Sequence, residues 1–166
     1  MRRTGGVEVG DKAKLKAFIE FLKDRVGFTF ELDNFDHRIK LQKYVFLARA
    51  FGWNHDYGYN LYIRGPYSSS LAKDYYNLEG IIPALVIPGL DGESFRSLVL
   101  NKDTSWLEVA ATLIAIHKNF SWHFNVDVLE KKVISRTFEL KSNISEDIIC
   151  DAYKELKRNG FLDRAT

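Results

Sequence analysis

Cysteine occurs once in this chain of 166 residues, as Cys150, so an internal disulfide is excluded and a thiolate zinc cluster with it. Long apolar runs are missing too. The longest, Ile81 to Ile87 and Val109 to Ile116, fall far below the roughly 18 residues that a membrane span needs. The opening Met1-Arg2-Arg3-Thr4-Gly5-Gly6 leads into Asp11, Lys12, Lys14 and Lys16, which is not the apolar centre of a secretory signal. These absences predict a cytoplasmic protein with no membrane attachment. Charge of one sign is scarce as well: the formal balance of +2 does not by itself imply nucleic acid.

Catalytic fingerprints are equally thin. No glycine-rich phosphate loop is present, nor the Gly-x-Ser-x-Gly run of a nucleophile elbow. His37, His55, His117 and His123 are scattered without a pair at metal-ligand spacing. The expectation is a protein with no cofactor, no metal and no enzymatic activity. His117, near a helix end, reads as a structural histidine. Cys150 sits among Ile148, Ile149 and Ala152, which predicts a buried, inert thiol.

What the sequence has is aromatic mass: twelve phenylalanines, eight tyrosines and three tryptophans, enough for a well-packed interior. Residues 1 to 10 read as a flexible tail and 11 to 166 as a single helical domain. Leu15, Phe18, Ile19, Leu22 and Val26 mark one face of a first helix stopped by Gly27. A second, from about Asp36 to Phe51 and ending at Gly52, has Asn34 or Asp36 as candidate cap and an apolar second half suited to a central strut. Alternation from Tyr57 to Arg64 predicts a strand ended by Gly65-Pro66, followed by a short helix capped by Ser68 or Ser69 and reaching Leu78. Residues 81 to 90 read as an irregular connection before a helix over 92 to 101. Ser105 and Glu108 have capping-box spacing ahead of an apolar helix, and further helices are expected over Val126 to Leu140 and Ser145 to Asn159. The fold class is therefore mainly α, a compact multi-helix domain with a short strand or hairpin and a helix-turn-helix-like C-terminal half.

The most distinctive surface combines the second helix with the strand and turn after it. Arg38, Lys40, Gln42, Lys43 and Arg64 offer cationic or amide donors, and Tyr59, Tyr62 and Tyr67 offer flat amphipathic rings around Gly65-Pro66-Tyr67-Ser68. Such a mixture suits protein hot spots and single-stranded nucleic acid alike. The competing structural explanation is a solvated helix start beside a rigid turn with a packed tyrosine.

The run Lys40-Leu41-Gln42-Lys43, then Tyr59-Asn60-Leu61-Tyr62-Ile63-Arg64-Gly65-Pro66-Tyr67-Ser68 and Leu71 to Leu78, resembles the YwgA-like group of uncharacterised prokaryotic proteins. More distantly it is similar to the Panacea antitoxin domain. The likeness is concentrated in residues 38 to 78, with a looser similarity from Trp106 to Leu162. The resemblance implies a compact helical domain that acts by binding a protein partner, in the Panacea case a toxin, and implies no catalytic residue. Panacea domains usually carry a smaller apolar residue after Gly-Pro, where this chain has Tyr67-Ser68.

Nucleic acid is the alternative partner, since the last three helices could imitate a helix-turn-helix. Glu146, Asp147, Asp151 and Glu155 on the would-be recognition helix oppose phosphate contact. The preceding helix, with Lys131, Lys132, Arg136 and then Lys141, or the basic start of the second helix, is the better candidate. A fainter trace, Asp127 with Glu139 and Lys141, resembles the acids and lysine of a divalent-metal nuclease, although an i, i+2 pair on a helix points in different directions. Homo-oligomerisation is also possible on this reading.

Overall fold

A computed structural model describes residues 10–164; the expected tail therefore lies outside the described residues, apart from Gly10. The apolar stripe near the start becomes α1, Asp11–Phe21, which widens into a π-helical turn over Leu22–Val26. Leu15, Phe18 and Leu22 are fully buried, and Gly27 closes the turn in the left-handed region. Phe18 meets Trp53 and Phe95 at ring-centroid distances of 5.0 and 5.4 Å, anchoring α1 in an aromatic core.

Helix α2, Phe35–Ala48, starts at Asn34, whose side chain accepts from the His37 N–H, and tightens into a 3₁₀ turn over Arg49–Phe51. Gly52 follows with φ +102, and a Cβ there would overlap the Gly89 carbonyl. That close approach docks the irregular 81–90 connection on the end of α2, where the Asp91 N–H donates to Phe51 O at 2.8 Å.

The strand region departs from expectation. Buried and exposed residues alternate from Trp53 to Gly58, but this stretch joins no ladder. Pairing begins at Asn60: β1, Asn60–Tyr62, and β2, Gly65–Tyr67, form an antiparallel hairpin with Asn60 opposite Tyr67 and Tyr62 opposite Gly65. Gly65-Pro66 thus opens the second strand instead of ending the first. Leu61 and Ile63, expected on the same side as Tyr57, stand in solvent because the chain has left the core by then. Helix α3, Ser69–Tyr75, is capped by Ser68 and ends short of Leu78.

Helix α4, Gly92–Val99, precedes α5, Thr104–Phe120. Asp103, not Ser105, caps α5, its carboxylate accepting from the Trp106 N–H at 2.8 Å, so Glu108 is freed from any capping role. Residues Leu107 to Ile114 are buried all round, and α5 packs against α2, β2, α6, Val126–Leu140, and α7, Glu146–Arg158. The central place expected for α2 is therefore shared with α5. A last turn, α8, spans Phe161–Arg164. The described chain is mainly helical with one two-stranded hairpin, and none of its helices is long and apolar enough to cross a membrane.

Candidate functional site

The residues singled out around the glycine-proline turn divide into a buried clamp and an exposed groove. Gln42 and Lys43 belong to the clamp: each is 1% exposed, which corrects their reading as surface donors. The Gln42 amide donates to Ser68 O and accepts from the Ser68 N–H, both at 2.9 Å, taking the place of a missing strand neighbour. Lys43 Nζ donates to Pro66 O at 2.8 Å. Just past the end of α6, the buried Lys141 donates to Ile63 O at 2.7 Å. Two lysines, one within α2 and one at the C-terminal cap of α6, thus hold carbonyls at and beyond the turn.

Gly65 is the position that lets them do so. It has φ +93, and a Cβ would lie 2.8 Å from Thr112 Oγ1 and 3.4 Å from both Glu108 O and Lys43 Cε. Pro66, which has no N–H to leave unpaired, is buried beside it.

Beneath the hairpin, Glu108 compensates part of the positive charge. Its Oε2 is 3.2 Å from Lys141 Nζ, and its Oε1 is 3.6 Å from an Arg64 guanidinium nitrogen. Burial pulls the Lys43 amine down to about 8, against the raising field of Glu108, with Lys141 and Arg64 lowering it further. Burial also lowers Lys141, again against Glu108.

Above the clamp lies a groove of about 500 Å³ between the start of α2, the hairpin and the end of α3. Tyr62, Arg64 and Tyr67 line it as exposed residues and Arg38 as a half-buried one, with Gln42, Lys43 and Gly65 at its base. The Tyr62 and Tyr67 rings meet edge to face at 5.9 Å. Sequence reasoning missed Phe35, Ile39, Ile63, Tyr75 and Tyr76. Phe35 could have been found as a bulky apolar residue directly after a capping asparagine, where a solvated first turn would be polar. It is 57% exposed, with the Arg38 and Arg64 guanidiniums 5.7 and 5.3 Å from its ring centroid.

Two of the proposed contact residues lie elsewhere. Tyr59 packs edge-on against Phe46 under Arg49, and burial raises its phenol. Lys40 extends over the Phe28 ring.

The alternative sites also come apart. Lys141 is committed to the hairpin and cannot join Lys131, Lys132 and Arg136 on a phosphate-facing surface. Arg136 is bonded to Glu139, and Lys132 lies over Phe124. Asp127 and Glu139 are about 18 Å apart along α6 at 1.5 Å per residue, so the suggested nuclease trio is not assembled. Among the described residues no three His, Cys, Asp or Glu side chains cluster to hold a metal. Cys150 is half-buried, not fully buried as expected, and its thiol is raised by what burial it has. His117 is buried in the last turn of α5. No protein-family model matches the chain, and neither a curated protein nor a solved structure matches it.

Proposed function

We propose that this is a non-enzymatic interaction or regulatory protein that docks a protein partner in the groove between α2, the hairpin and α3, in the manner its resemblance to the YwgA-like and Panacea groups implies. One observation carries the reading. Phe35, Tyr62, Ile63, Tyr67 and Tyr76 are 57, 54, 80, 38 and 54% exposed around a single concavity whose base is held by buried hydrogen bonds. Aromatic rings and arginine on a rigid support are the composition of an interface hot spot, and solvent is an unfavourable place to leave so many of them together. An antitoxin-like role belongs within this reading.

The test is affinity capture from native cell lysate with nuclease added, comparing the wild-type chain with Ile63→Asp. A stoichiometric protein retained by the wild type and lost by the variant supports the groove as the docking site. Retention of the same protein by both chains, or of nucleic acid alone before nuclease, overturns it.

A further inference from the structure

Building on that docking reading, we infer that the groove recognises an acidic peptide segment of the partner, one in which an Asp or Glu neighbours a bulky apolar side chain. The argument is charge complementarity at a defined point. Arg38, Lys43 and Arg64 line the groove, and neither Asp nor Glu does. Lys43 is spent on Pro66 O, and Arg38 gives one nitrogen to Leu32 O at 2.6 Å. Among the described residues Arg64 makes no closer ion pair than 3.6 Å, with a carboxylate that Lys141 already holds at 3.2 Å, and its side chain is 58% exposed.

Lys43, Lys141 and Arg64 therefore surround one carboxylate, Glu108, leaving positive charge over at the groove wall. A second carboxylate, brought in by a partner, would meet the guanidinium fork of Arg64 in bidentate geometry with Arg38 close by on the same Phe35 ring. The apolar neighbour would cover Ile63 and the Tyr62–Tyr67 pair.

Single-stranded nucleic acid also brings anions and flat rings, but it is served by a cationic track that follows a backbone. Here an exposed guanidinium, Arg64, and a half-buried one, Arg38, converge on one ring. Exposed Glu31 and Asp33 flank the Leu32 carbonyl to which Arg38 is tied, where a continuing phosphate chain would be repelled.

The experiment pans the full chain against a displayed library of random linear peptides and measures recovered peptides by fluorescence anisotropy. Wild type, Arg64→Glu and the milder Arg64→Gln are compared, each checked by thermal melting, with an oligo-dT strand as a second probe. The expected peptides share Asp or Glu beside Phe, Leu, Trp or Tyr. Changing that acid to its amide weakens binding about tenfold or more, Arg64→Gln does the same, and a Lys in place of the acid restores affinity for Arg64→Glu. Peptides without an acid, no enriched peptide at all, or oligo-dT displaced by Arg64→Glu each overturn the inference. Acid-free peptides together with Ile63→Asp-sensitive lysate capture overturn this inference alone, whereas capture indifferent to Ile63→Asp removes the docking reading beneath it.

Discussion

Lys43 and Pro66 are joined by a buried hydrogen bond of 2.8 Å that ties the middle of α2 to the second strand of the hairpin. An ammonium sealed at 1% exposure is a structural part, and its replacement is read in stability. Lys43→Glu puts a carboxylate against the Pro66 carbonyl and near Glu108; the expected loss is about 3–5 kcal/mol. Lys43→Met keeps the apolar stem and forfeits the donor, for a smaller loss of about 1–3 kcal/mol. Urea unfolding checks both, and an unchanged midpoint for Lys43→Glu would return this lysine to the surface.

Gly65→Ala is expected to cost about 1–3 kcal/mol through backbone strain alone, since φ is +93 and the new methyl would crowd Thr112 Oγ1. Thr112→Ser leaves that hydroxyl in place, so it should not relieve the strain; Gly65→Ala with Thr112→Ala should recover only the steric part. Thermal melts of the three variants separate the two contributions.

His55 sets a pH dependence whose sign follows from its partners. Its Nε2 lies 2.9 Å from the Val45 carbonyl and must donate, while Nδ1 accepts from Arg49 at 3.2 Å, so the fold holds the neutral ring. Burial, opposed by the bond to Val45, lowers it from 6.5 to about 4. Between those values the unfolded chain takes up a proton that the folded one refuses. Stability from this group is complete above pH 6.5 and is lost as pH falls towards 4, by up to about 3 kcal/mol at 1.36 kcal/mol per unit. The difference in unfolding free energy between wild type and His55→Gln, followed from pH 7 to pH 4, should shrink by that amount; a constant difference rejects the assignment.

Tyr67→Ala and Ile63→Asp address the groove and not the scaffold. Ile63 is 80% exposed, so its substitution should change stability by no more than about 0.5 kcal/mol while abolishing partner capture. Tyr67, which also packs on Tyr62, should show the same loss of capture with a slightly larger drop in melting temperature. A large loss of stability in Ile63→Asp would mean that the tip of the hairpin is packed, contrary to its exposure.

For the α6 alternative, mixed-sequence duplex DNA is expected to show no saturable binding at physiological salt. Three exposed basic side chains, Lys131, Lys132 and Arg136, could give a salt slope no steeper than about −3 on a log-log plot. Saturable binding weakened by Lys131→Glu would overturn this expectation.

Helix positions were legible in the sequence because apolar spacing and end residues agreed: α6 has the expected bounds, α7 is one residue shorter at each end, and Asn34, Ser68 and Ser145 cap as their types suggest. The hairpin was misjudged because alternation describes extended chain whether or not it finds a partner strand. Glu108 was taken as a capping residue from its spacing to Ser105, when Asp103 lay better placed. The groove was half visible. Arg64, Tyr62 and Tyr67 announced themselves by type, but Gln42, Lys43 and Lys141 are polar residues turned inward to satisfy carbonyls far along the chain, and local pattern assigns polar residues outward. The lysine that reaches Ile63 is 78 positions away.

That separation has a consequence for the order in which the molecule is made. The hairpin and α2 leave the ribosome long before Lys141 does, and until then the Ile63 carbonyl lacks its ammonium and Glu108 its nearest counter-charge. The hairpin that walls the groove thus receives one of its supports from the second half of the chain. A ligand that needs the hairpin held in place is thus expected to bind fully only once Lys141 has reached the Ile63 carbonyl.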